Sequence, residues 1–181
     1  MFIISLAVIA LVTVIDQLLK FAVVQNIELG ESIRVIHFGS FDVFDITHVT
    51  NKGAAWSMMS GRTWFLVGFP IAVILGGLVY MYFKRSGHKL QLISLALLIG
   101  GGIGNLIDRI RLGEVVDYIK FKPISFPVFN FADICVVIGV ILLAVFFIFF
   151  DRSEKKTGSA DAVTAAENDD TEIVEHEDEQ T

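Results

Sequence analysis

One cysteine, three prolines and four scattered histidines leave this 181-residue chain poor in the usual materials of covalent and metal chemistry. A lone Cys135 excludes an internal disulfide and a cysteine-based metal site, and its place in an apolar run reads as a small buried helix residue. His37, His48, His88 and His176 show no His-Glu-x-x-His spacing for zinc. No Gly-x-Ser-x-Gly elbow is present, and nothing marks a third partner for His48 and Ser57. The amino terminus lacks a basic stretch, and its apolar run contains Asp16 and Lys20. It is therefore expected to stay on the chain as a transmembrane helix rather than leave as a signal.

What the chain does have is apolar length. It is 54% hydrophobic with sixteen Phe, and its long uninterrupted runs indicate an integral membrane protein. Four segments reach the roughly 20 apolar residues that a bilayer core requires. They cover about residues 2–24, 63–83, 90–107 and 128–150. The net charge of −6 is misleading, because residues 151–181 hold eleven acids and three bases, whereas 1–150 hold nine acids and eleven bases. The expected division is a four-span domain over 1–150 and an acidic, disordered tail over 151–181, too poor in large apolar residues to bury a core. Basic clusters at Lys84-Arg85 to Lys89 and at Arg152 to Lys156 put those ends, and both termini, on the cytoplasmic side. The connections 24–62 and 108–127 then face outward.

The first of these connections is more than a linker. Ile33, Val35 and the run Phe41 to Ile46 alternate as β-strands do, with a break at Gly39-Ser40, so a two- or three-stranded element resting on the membrane is expected. Asn51 is a good helix cap, and Gly53-Ala54-Ala55-Trp56 suits a short helix at headgroup level.

Acids near lipid are costly and by default mark working sites. Asp16 and Lys20, four apart, form a helical pair whose members must face protein or water. Asn105, Asp108 and Arg109 close the third span, with Asn105 and Arg109 on one face and Asp108 expected to orient Arg109 or a loop carbonyl. Gly100 and Gly104 lack the strand and final glycine of a nucleotide loop, and their spacing suits close helix packing instead. Asp117, after Val115-Val116, and Asp133, after Asn130 and Ala132, lie at matching depth, and Asp133 has no basic neighbour within a turn. Two carboxyls in contact cannot both ionise readily, so such a pair can activate water and protonate a leaving amide nitrogen. The same pattern also fits two acids that each cap or solvate a helix end, and the residues alone leave that open. A proton-coupled carrier would want acids near mid-membrane and paired broken helices, which are not visible here. A non-catalytic anchoring protein would make neither acid matter individually.

Five motifs occur in order: Asp16-x-x-x-Lys20; Thr50-Asn51-Lys52-Gly53-Ala54-Ala55-Trp56-Ser57; Gly101-Gly102-Ile103-Gly104-Asn105-Leu106-Ile107-Asp108-Arg109; Val115-Val116-Asp117-Tyr118; and Phe129-Asn130-Phe131-Ala132-Asp133. Together they resemble the motif set of the bacterial lipoprotein signal peptidases (signal peptidase II). Trp56 and Tyr118 stand where that family usually or often has Phe. The resemblance implies an all-α integral membrane fold with four transmembrane helices, a small extracytoplasmic β-cradle and a short interfacial helix. It implies an aspartic endopeptidase of the bacterial inner membrane, its site near the outer face. That enzyme cuts diacylglyceryl-modified prolipoproteins just before the lipidated cysteine. Asp117 and Asp133 fall on the catalytic pair. Asp16, Lys20, Asn51, Gly101, Asn105, Arg109, Asn130 and Ala132 fall on supporting or substrate-contacting positions. No metal or other cofactor and no nucleic acid is expected, and the partners implied are the precursor and membrane lipid around a monomer.

Overall fold

The structure is a computed structural model that describes residues 1–39, 41–53, 63–85 and 87–150. The acidic tail over 151–181 and the short interfacial helix expected around Trp56 lie outside the described residues. The chain divides into two units, Met1–Leu142 and Leu143–Thr181, and the packing, sheet and groove treated below belong to the first.

Among the described residues, four helices are long and apolar enough to cross a membrane. They are α1 (Phe2–Asn26), α2 (Thr63–Phe83), α3 (Lys89–Leu112) and α4 (Phe131–Phe149). Three strands accompany them: β1 (Ser32–Phe38), β2 (Phe41–Asn51) and β3 (Val115–Phe121). Helix α3 is the bundle's centre. Half of its most apolar window is buried, against about a fifth for each of the others, and it packs on both α1 and α2.

The buried residues of α1 are Ser5, Ile9, Val12, Asp16, Lys20 and Val23, spaced three or four apart and so confined to one stripe. That stripe meets the glycines of α3. A Cβ on Gly100 would stand 2.9 Å from Cβ of Val12, and one on Gly104 would strike the Asp16 carboxylate. On the other side of α3, a Cβ on Gly101 would strike the Ala132 carbonyl of α4, and one on Gly139 of α4 would lie 2.8 Å from the Ser94 carbonyl. These glycines serve close packing, which the four-residue spacing of Gly100 and Gly104 indicates.

The sheet is antiparallel in the order β1-β2-β3. The first two strands fall where alternation places them, joined across the Gly39 turn. The third occupies a stretch that reads as a loop in sequence. Its first four residues are all buried, so it shows no in-out alternation, and its partner β2 lies far away in the chain. The sheet is tied to the bundle at the end of α1, where His48 Nδ1 meets the Ile27 carbonyl at 2.9 Å. Val23 and Ile27 there pack with Val116 and Tyr118 of β3.

Two helix ends differ from expectation. Helix α3 continues past Ile107 through Arg109 and stops only at Gly113, whose φ of 78° is a left-handed cap that glycine adopts without strain. Helix α4 begins at Phe131 rather than Val128, because Phe129 is held in an isolated bridge with Ile119.

Candidate active site

Two connected layers of polar groups lie where the sheet meets the bundle. The deeper one is built on α1 and α3. Lys20 Nζ lies 2.9 Å from both Asp16 Oδ2 and Asp108 Oδ2, and all three side chains are almost wholly buried. Lys20 also donates to Asn105 Oδ1 at 2.9 Å. Asp108 accepts the Val116 N–H of β3 at 3.2 Å, so it anchors a strand through an amide rather than orienting Arg109 or a carbonyl. The reason is geometric: with α3 extended to Leu112, Asp108 faces α1 while Arg109 turns to the other side and donates to the Gly53 carbonyl at 3.2 Å. Asp16 reaches α4 and accepts the Ala132 N–H at 3.1 Å. Gln17 completes this layer. Its Nε2 donates to Asp108 Oδ1 at 3.0 Å and lies within 3.2 Å of the Gly104 carbonyl. Sequence reasoning passed over Gln17, although an amide beside Asp16 inside a span carries the same signal as the acid: it needs a partner there.

The upper layer holds Asp117 and Asp133. Asp117 lies on β3 and Asp133 in the first turn of α4, and both line one groove of about 540 Å³. Asn130 stands between them. Its Nδ2 donates to Asp117 Oδ1 at 2.7 Å, and its backbone N–H donates to Asp133 Oδ2 at 3.1 Å. The Asp133 N–H donates back to Asn130 Oδ1 at 3.0 Å, so Asn130 and Asp133 form a reciprocal cap on α4. The free oxygens are held too. Asn51 Nδ2 donates to Asp117 Oδ2 at 3.0 Å, and Asn105 Nδ2 donates to Asp133 Oδ1 at 2.7 Å. Asn51 Oδ1 meanwhile accepts the Gly53 N–H at 3.0 Å.

The ten residues singled out in the sequence thus separate by role. Asp117, Asp133, Asn51, Asn105 and Arg109 line the groove. Asp16, Lys20, Asn130 and Ala132 are buried behind it, and Gly101 lets α3 and α4 touch. The carboxamides of Asn105 and Asn130 are spent on the acids, so they position the carboxylates rather than stand free for a substrate backbone. Among the described residues that line the groove, Arg109 is the one cation.

Burial raises the Asp117 carboxyl to about pKa 6. The Asn51 hydrogen bond pulls it down, the Asp133 charge pushes it up, and Asn130 and Lys20 pull it down again. Neither Asp117 nor Asp133 makes an ion pair among the described residues. Two carboxyls held by neutral amides, one of them keeping its proton to near-neutral pH, can give and take a proton across the groove. Among the described residues, no three His, Cys, Asp or Glu side chains converge as a metal ligand set. The rest of the groove is apolar, walled by Phe126 to Phe129 and by Ile134 and Val136–Ile138 of α4.

Comparison with known proteins gives a family and a fold likeness over most of the chain. Residues 8–149 match the family described as signal peptidase (SPase) II. The chain is 42% identical over 139 residues to a lipoprotein signal peptidase of Halothermothrix orenii, covering 77% of this chain and 91% of that one. It is 42% identical over 151 residues to a lipoprotein signal peptidase of Desulfitobacterium hafniense, covering 82% and 95%. Its fold is similar to a solved structure described as a bacterial membrane enzyme, with a TM-score of 0.73 at 33% identity, covering 80% of this chain and 87% of that one.

Proposed function

The chain belongs to the signal peptidase II family, and on that premise we propose that it removes signal peptides from prolipoproteins with Asp117 and Asp133 as the reacting pair. The observation that carries this reading is the single groove onto which both acids open, braced by Asn130. The substrate is a precursor bearing a diacylglyceryl group on the cysteine that follows the scissile bond. Its signal helix and lipid enter the apolar stretch of the groove beside α4, which brings that bond to the acids.

Asp117, the acid whose carboxyl burial raises to about pKa 6, serves in its protonated form as general acid, and Asp133 serves as general base. Asp133 takes a proton from water as the water oxygen bonds to the scissile carbonyl carbon. Asp117 gives its proton to the amide nitrogen as the C–N bond breaks, releasing the signal peptide as a carboxylic acid and the lipoprotein as an amine. A proton returns from Asp133 to Asp117 to close the cycle. Arg109, at the groove wall, binds the extended backbone of the precursor. Asp16, Lys20, Asn51, Gly101, Asn105, Asn130 and Ala132 hold the acids in place.

The sheet and groove face outward from the inner membrane, with both termini in the cytoplasm. Basic residues around Lys84–Lys89 support this orientation. The scissile bond of a precursor tethered by helix and lipid lies at the outer surface, the depth at which α4 begins. The unit of activity is a monomer in contact with membrane lipid, with residues 1–150 as the catalytic domain.

The test uses purified protein and one precursor in two forms, with and without the diacylglyceryl group. Shortened product is expected from the lipidated form alone. Equal cleavage of both forms, or of neither, overturns the proposal.

A further inference from the structure

Tyr118 follows Asp117 in β3, and strand alternation turns its side chain to the opposite face. There the ring is buried with Val23, Ile27 and Val116, and Phe131 of α4 packs against the same cluster. At the far end of the ring the hydroxyl oxygen accepts the N–H of Phe131 at 3.2 Å. Phe131 is the first residue of α4, two positions before Asp133.

That amide has no partner within its own helix, because the first turn of any helix leaves its N–H groups without carbonyls to reach. The first three N–H groups of α4 are answered by side chains outside the helix. Phe131 donates to Tyr118, Ala132 donates to Asp16, and Asp133 donates to Asn130. The backbone on either side is pinned as well: the Tyr118 and Ile119 N–H groups both donate to the Phe129 carbonyl, at 3.0 and 2.7 Å. A phenylalanine at 118 would fill the same apolar space and leave the Phe131 N–H with no partner in a buried place.

From this we infer that the Tyr118 hydroxyl is a positioning group for the reaction, a brace from the strand that carries Asp117 to the helix turn that carries Asp133. It touches neither acid and acts through the Phe131 amide. Without it, the first turn of α4 must turn its free N–H toward water, and the turn that presents Asp133 loosens against β3. This inference rests on the dyad proposed above.

The test compares Tyr118→Phe with Val23→Ala, which trims the same cluster and leaves the hydrogen bond intact. Both are assayed on the lipidated precursor as single-turnover rate at saturation and as KM, per folded molecule. Loss of one neutral hydrogen bond corresponds to about a two- to tenfold effect. Tyr118→Phe should lower the single-turnover rate by that factor with KM unchanged and should speed hydrogen exchange at the Phe131 amide. Val23→Ala should lower thermal stability and leave the rate alone. A wild-type rate in Tyr118→Phe, a change in its KM alone, or an equal loss of rate in Val23→Ala overturns the inference. Asp117→Asn is run beside them. If it turns over like the wild type, the dyad itself is wrong; if it is inactive while Tyr118→Phe is normal, only the brace falls.

Discussion

The bundle holds two pairs of acids close together and treats them in opposite ways. Asp16 and Asp108 share a cation, Lys20, at 2.9 Å each, deep between α1 and α3. Asp117 and Asp133 share a neutral residue, Asn130, and take their remaining hydrogen bonds from Asn51 and Asn105. A cation at contact distance from two carboxylates engages both in ion pairs and ties α1 to α3. Amide donors orient a carboxyl without engaging it in an ion pair, so a proton can be given or taken there. On the proposed reading the first pair holds the site and the second reacts. Asn105 joins them, accepting from Lys20 on one side and donating to Asp133 on the other.

The sharpest way to break this comparison is to remove the shared cation. Lys20→Met leaves two buried acids facing each other, and breaking such a buried arrangement costs on the order of 3–5 kcal/mol. Thermal unfolding in detergent should fall steeply, and replacing Asp16 and Asp108 with Asn in the same protein should restore much of the loss. A Lys20→Met protein that unfolds with the wild type would mean that the two acid pairs are not different in kind.

A smaller effect is expected from pH. The Asp117 pKa is raised from its ordinary 3.8 to about 6, so the folded state favours the neutral carboxyl. That preference stabilises the fold fully below 3.8 and is lost as pH rises through about 6. Asp117→Asn cannot ionise, so its stability should gain on the wild type between pH 4 and pH 8, by on the order of 2 kcal/mol. Unfolding measured across that range should show the gap opening from about pH 4 and levelling off above about pH 6, whereas a gap that stays constant or closes would contradict the burial of a protonatable acid there.

Much of this architecture is visible in the residues themselves. The spans follow from apolar length, and the Asp16–Lys20 pair follows from its four-residue spacing. The cap that starts α4 is written in Asn130 and Asp133, three apart. Asp133 stands out because no base is near it in sequence, and the structure keeps both Asp117 and Asp133 clear of ion pairs among the described residues. What escaped notice depended on partners distant in the chain. Strand β3 is buried on both faces at its start and pairs with residues some seventy positions away, so local alternation does not announce it. Asp108 and Arg109 are neighbours in sequence, but the helical turn sends them to different sides. Polar residues after Ile107 suggest that α3 stops there, whereas Gly113 supplies the actual stop.

The central claim is that Asp117 and Asp133 work as one catalytic unit. Its most direct test is single-turnover cleavage of the lipidated precursor by Asp117→Asn, Asp133→Asn and the double variant, each shown to be folded. Residues that act together lose their effect together, so each single change should lower the rate at least about a thousandfold and the double change should lower it no further. A single variant that keeps a tenth of the wild-type rate, or a double variant whose loss is the product of the two, would contradict the account.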